Sequence, residues 1–141
     1  MVPVRLRVEI ERARSREVIV LIALVNTGFT SEGPDTLVPA SVARALGLVL
    51  NRADPCPSYL AQRMARLGAA WCHVQRRLGF LTTDDRVSEA VLANVIVDPL
   101  AEEVLISDAL AEELGIQILY PRRGVWKFAE EDRVRHGVED R

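Results

Sequence analysis

Three consecutive residues, Asn26, Thr27 and Gly28, carry the clearest chemistry in this sequence. They end the apolar run Ile19-Val20-Leu21-Ile22-Ala23-Leu24-Val25, which is rich in β-branched residues and suits a buried strand better than a helix. A turn at the end of such a strand presents side chains to a cleft from a rigid support. Glycine after threonine lets the backbone turn tightly. The Asn26 amide donates and accepts hydrogen bonds but has no carboxylate to take up a proton. The chain holds no second Asp- or Asn-Thr/Ser-Gly.

Other reactive residue types are scattered. Cys56 and Cys72 fit no zinc spacing, and Cys72-His73 are adjacent rather than separated by a loop. Two reduced thiols are expected, with a disulfide plausible only in a hyperthermophile. No metal and no cofactor is expected. His73 and His136 lack partners in the sequence, and Ser41 and Ser107 lack a nucleophile elbow. Asp84-Asp85, Glu130-Glu131-Asp132, Arg76-Arg77 and Arg122-Arg123 read as solvated charge, and Trp71 and Trp126 as core or interface packing.

The elements that would position the turn follow from periodicity. Val2, Val4, Leu6, Val8 and Ile10 alternate with Pro3, Arg5, Arg7 and Glu9, which predicts a strand with one solvated face, paired as a hairpin with Val18 to Val25. Thr36-Leu37-Val38 reads as a short strand. A helix follows with Pro39 in its first turn and Gly47 as its cap. Val87 to Val97 and Val104-Leu105-Ile106 read as strands. Ser107 is a good N-cap, Asp108 complements the helix dipole, and Gly115 stops the helix. Ile116 to Tyr120 and Val125 to Phe128 are strands around the turn Pro121-Arg122-Arg123-Gly124. A weak repeat at an offset of 68 relates Leu37-Val38 and its helix to Leu105-Ile106 and its helix. Asn94 falls at that offset from Asn26, but no Thr-Gly follows it, so it receives no catalytic role.

Composition bounds the class. With 141 residues, 49% hydrophobic and 27% charged, one domain with a genuine core is expected over residues 1–128, followed by a charged, flexible tail over 129–141. The net charge of −2 gives no field that would recruit nucleic acid. No stretch is apolar enough to span a membrane, and Met1-Val2-Pro3-Val4-Arg5 lacks the order of a signal peptide, so a cytoplasmic protein is expected. The one lysine, Lys127, among arginines fits a high-GC genome or a thermophile.

Leu24-Val25-Asn26-Thr27-Gly28 resembles the active-site loop of retropepsin-like aspartic proteases, apolar-apolar-Asp-Thr-Gly, with Asn26 at the aspartate position. Val104-Leu105-Ile106-Ser107-Asp108-Ala109-Leu110 resembles the same family's second motif, an apolar pair, Gly, any residue, then Asp or Asn opening a helix. Asp108 and Leu110 match, and Ile106 stands in place of the glycine. Leu114-Gly115-Ile116 through Gly124-Val125-Trp126 is similar to archaeal-type soluble members. The resemblance covers roughly residues 2–128 and is weakest over 49–80.

It implies a mainly β, retropepsin-like acid protease fold, a closed or orthogonal barrel with one or two short α-helices. It implies a homodimer with one peptide cleft, acting on peptide or unfolded protein, with the strands near Val2 to Leu6 and Val125 to Phe128 at its interface. Asn26, Thr27 and Gly28 would be the catalytic positions, Phe29 and Thr30 would touch substrate, and Asp108 would support the loop from behind. A mobile hairpin is expected within 49–80, with Gly68 or Gly79 near its turn. With Asn26 in place of aspartate, the endopeptidase would be inactive or severely impaired. Asn26 fits either a deliberate Asp-to-Asn substitution or a natural pseudoprotease, and the alternative function is a peptide-binding or scaffolding dimer. A nucleic-acid-binding β-domain using the arginine pairs is a third, remote reading.

Overall fold

A chain with one alternating strand, one strand apolar on nearly every position and short apolar segments between them can bury its apolar faces by closing a sheet on itself. That is what the computed structural model shows. It describes residues 4–25, 33–48, 74–98 and 101–138, with the backbone alone for 74–78. The strands are β1 (Arg5–Glu11), β2 (Val18–Val25), β3 (Asp35–Val38), β4 (Val74–Leu81), β5 (Val91–Val97), β6 (Val104–Ile106), β7 (Ile116–Tyr120), β8 (Val125–Phe128) and β9 (Arg135–His136). Two short helices, α1 (Ala40–Ala45) and α2 (Asp108–Glu113), complete a mainly β fold among the described residues.

Six strands form a closed barrel in the order β1-β2-β6-β3-β5-β4, and β7-β8-β9 form a second sheet. The β1–β2 hairpin runs from Arg5↔Leu24 to Glu11↔Val18. Leu6, Val8 and Ile10 are buried while Arg7 is exposed, as the period-two pattern requires. The small sheet shares the barrel's core, since Trp126, Phe128 and Ile116 belong to the same apolar cluster as Leu6, Val8 and Val95.

The 68-residue repeat is structural. Each helix has six residues, and the flanking dihedrals nearly coincide: φ −64 and ψ 161 at Pro39 against φ −70 and ψ 162 at Ser107. Leu46 donates to the Val42 carbonyl as Leu114 does to Leu110, each at 2.9 Å. Gly47 and Gly115 follow with φ of 73 and 78, the left-handed conformation that closes a helix with little strain only for glycine.

Three expectations are corrected. Residues 129–138 are ordered, because β9 pairs with β8 and the Val138 amide donates to the Arg5 carbonyl at 2.8 Å. Gly79 lies within β4, paired with Ile10 and Val91, and not at a turn. The strand expected from Val87 begins at Val91, because Ser88 turns its hydroxyl to accept from the Leu81 amide at 2.8 Å and Val87 makes only an isolated bridge to Thr82. Pro39 also sits one residue earlier than expected, at the N-cap. The expected mobile hairpin with Gly68, and the positions Cys56, Trp71, Cys72 and His73, lie outside the described residues.

Candidate functional site

β2 delivers the chain to the Asn-Thr-Gly turn. Its last residue, Val25, pairs in parallel with Ile106 of β6, and its amide donates to the Val4 carbonyl at 2.9 Å. Asn26, Thr27, Gly28, Phe29 and Thr30 themselves lie outside the described residues. Their surroundings are described, and these hold a polar row that the sequence reading missed.

In the barrel, the residue one step beyond Ile106 is Ser107, the residue one step before Thr36 is Asp35, and Asp35 pairs with Asn94. Ser107 and Asp35 are fully buried, and Asn94 nearly so. The Asn94 Nδ2 donates to Asp35 Oδ1 at 2.8 Å, and the Asn94 amide donates to the Pro34 carbonyl at 2.8 Å. Ser107 Oγ accepts from the Asp35 amide at 3.0 Å and from the Leu110 amide at 3.1 Å, so one hydroxyl caps α2 and fixes β3. The Ser107 amide closes the loop by donating to the Asp35 carbonyl at 2.9 Å. Such bonds offset the cost of burying polar groups. Asp35 and Asn94 could have been found from sequence, because a carboxylate and an amide inside otherwise apolar strands require partners.

Asp108 opens α2, half-buried, with Oδ1 accepting from the Ala109 amide at 2.8 Å. Ile106 is 1% exposed and packs into the core, so its bulk is taken up inside the barrel. Thr36 Oγ1 donates to the Leu105 carbonyl at 2.9 Å, tying β3 to β6 beside the same row.

The strand registers also redraw the internal symmetry. Val25 pairs with Ile106 as Val97 pairs with Val38. The short strands are offset by 68, but Val25 and Val97 are 72 apart. The position matching Asn26 is therefore Asp98, not Asn94. Asp98 is buried, and its amide donates to the Val38 carbonyl at 3.0 Å.

The acidic runs expected to be solvated are instead half of an ionic cluster. Arg135 is 6% exposed and contacts Asp85 at 2.6 and 3.0 Å and Glu131 at 2.7 and 2.9 Å. Arg133 also reaches Asp85, at 2.9 Å, and Arg86 pairs with Glu130 and Glu131. The Arg86 guanidinium lies 4.0 Å from the Phe128 ring centroid. The Arg135 hydrogen bonds hold the Asp85 carboxyl well below its usual range and that of Glu131 below its own. Asp85 in turn raises Arg135. Arg122 and Arg123 are exposed.

Among the described residues no group of three or more His, Cys, Asp or Glu side chains could hold a metal ion, and no helix is long and apolar enough to cross a membrane. No protein-family model, curated protein or solved structure matches the chain.

Proposed function

We propose that this chain is a retropepsin-like aspartic endopeptidase family protein that forms one peptide cleft per homodimer and is catalytically silent as written. The observation that carries the reading is the junction at Val25. Strand β2, half-exposed along most of its length and buried at Ala23 and Val25, runs into Asn26-Thr27-Gly28 while pairing in parallel with the short strand that opens the Asp108 helix. The paired exchange of β2 with β6 and of β5 with β3 supports it further, because the resemblance implies a monomer built on an internal twofold.

In this reading Asn26 from each subunit stands where a carboxylate pair would share a proton, and Thr27 and Gly28 shape the loop. Phe29 and Thr30 contact an extended peptide or unfolded segment, and Asp108 supports the loop through α2. Asn26 offers an amide donor where the reaction requires an acceptor. Loss of a catalytic acid–base group costs roughly 10²–10⁴-fold in rate. Peptide binding without hydrolysis, by a natural pseudoprotease, is the second reading, and Asn26 itself favours it.

Asn26→Asp tests the proposal. Two carboxylates in contact hold one proton well above the reference value of about 3.9. The variant is expected to cleave unfolded protein between about pH 3 and 7 and to be blocked by an aspartic-protease transition-state inhibitor. A folded, dimeric Asn26→Asp protein that neither cleaves nor binds the inhibitor would leave only the binding role. A monomer at micromolar concentration by sedimentation equilibrium would refute the shared cleft.

A further inference from the structure

The strand registers fix which side chains of the β1–β2 hairpin point away from the barrel. On β2, Ala23 and Val25 are buried, and Ile19 and Leu21 pack against the core. Val18, Val20, Ile22 and Leu24 alternate with them and stand outside the core cluster. Val18 is 40% exposed and Val20 53%, and Ile22 and Leu24 are half-buried. An antiparallel strand with one face in water places polar residues at such positions. This row is wholly aliphatic.

The neighbouring row on β1 is wholly charged. Leu24, Ile22, Val20 and Val18 stand opposite Arg5, Arg7, Glu9 and Glu11. Arg7 is exposed and the other three are half-buried. Two positive residues are followed by two negative ones, so the row is complementary to itself when laid antiparallel on a second copy. A twofold axis in the plane of the contact does this, crossing the strands between the Arg7–Ile22 and Glu9–Val20 pairs. It sets Arg7 against Glu9 of the second copy and Arg5 against Glu11. In the aliphatic row the same axis sets Val20 against Ile22 and Val18 against Leu24. Sheets packed face to face keep their strands within about 30° of each other, so both rows meet along their length. Arg5 also lies 3.4 Å from Glu103, and Glu9 accepts from the Thr82 hydroxyl. Arg7 against Glu9 is therefore the central charge contact.

We infer that this face docks a second copy of the chain, aliphatic row on aliphatic row and charged row on charged row. The axis crosses β2 roughly 16 Å from Asn26, at about 3.3 Å per residue, so it holds the two Asn26 turns apart. It is a different contact from the one that would pair those turns, and it stands whether or not the peptide cleft does.

Charge reversal tests it, with sedimentation equilibrium of the full chain as the readout and thermal melting as the check on folding. Arg7→Glu and Glu9→Arg each turn the central contact into repulsion. Each is expected to weaken self-association through this face at least about 10-fold. Mixed one to one, the two variants offer each other opposite charges and are expected to associate as the wild type does. An intrachain role for Arg7 and Glu9 predicts no such rescue. The double variant Arg7→Glu/Glu9→Arg is expected to regain self-association, and Val20→Asp to lose it. If the peptide-cleft dimer also forms, the wild type is a tetramer and each single variant a dimer; if it does not, the wild type is a dimer and each single variant a monomer. Either halving supports the inference. A monomeric wild type, an assembly unchanged in the single variants, or a mixture that fails to associate overturns it. Should Glu9→Arg fail to fold, Val20→Asp decides: an assembly unchanged in that variant overturns the inference, and a halved one supports it.

Discussion

The molecule buries an acidic side chain in one place and a basic one in another, and holds them differently. Inside the barrel, the Asp35 carboxylate accepts from a neutral amide, and the Asp35 backbone is held by the Ser107 hydroxyl. In the C-terminal sheet, the Arg135 guanidinium is held by two carboxylates and lies 5.2 Å from the Phe128 ring. Among the described residues, the first arrangement draws on neutral hydrogen-bonding groups. The second spends ion pairs at a rim where Asp85 and Glu131 remain partly in water. Neutral donors suit a place where strands must be fixed beside a turn. Ion pairs suit a place where a charged segment must be fastened to a surface.

The largest expected effect tests the neutral side. Asn94→Ala removes the amide donor from a fully buried carboxylate and is expected to cost about 2–4 kcal/mol of unfolding free energy. Urea denaturation checks it, and a loss below about 1 kcal/mol would mean that the amide is not what holds Asp35. Ser107→Ala comes next. It takes the cap from α2 and an acceptor from the Asp35 amide, for about 2 kcal/mol. Replacing Pro39, which makes no side-chain cap bond at the matching position, by Ala is expected to change stability by much less.

The ionic side is expected to respond more weakly. Arg135→Met keeps an apolar stem against Trp126 and Phe128, and the carboxylates it leaves behind stay partly in water with Arg133 and Arg86 still beside them, so the loss is expected to be smaller than that of Asn94→Ala. A loss as large as that of Asn94→Ala would erase the distinction. Its pH dependence is the sharper readout. Asp85 and Glu131 have folded values below their unfolded ones, so their contribution is complete above the unfolded carboxylate values near about 4 and is lost as pH falls through the folded ones. Amide exchange at β9 is expected to stay slow at about pH 5 and to quicken only under stronger acid in the native protein. In Arg135→Met that acid step should shrink. The smallest effect is expected for Glu103→Gln, at the position matching Asp35 in the repeat. Its contact with Arg5, at 3.4 Å and partly exposed, is worth under about 1 kcal/mol.

The same contrast explains what the sequence made legible. The hairpin, both helices and their glycine stops are written in local patterns: alternation in β1, apolar spacing in α1 and α2, and positive-φ positions at Gly47 and Gly115. Ser107 was recognised as a cap because a cap is local, but its second bond, to Asp35, spans 72 residues. Asp35 just precedes the apolar segment Thr36-Leu37-Val38 and Asn94 lies inside an apolar strand, and each makes sense only beside the other. The charged stretch after Phe128 looked frayed for the same reason. Its composition is that of a tail, and its order comes from Asp85 and Arg86, far back in the chain. The Asn94–Asn26 correspondence failed because a constant offset assumes loops of equal length, whereas register counts strands.

The exchange of short strands between the two halves bears on how the protein reaches its fold. β6 lies between β2 and β3, and β3 lies between β6 and β5. Neither half can complete its share of the barrel alone, so the turn at Asn26 acquires its support only when residues near 106 arrive. Such distant pairings must overcome loop-closure entropy before they are rewarded, which places barrel formation among slow, non-local folding events. A nascent chain ending before β6 would expose the edge of β2 with its apolar residues. Cleavage of the folded protein between α1 and β4 should instead yield two fragments that stay associated and melt together.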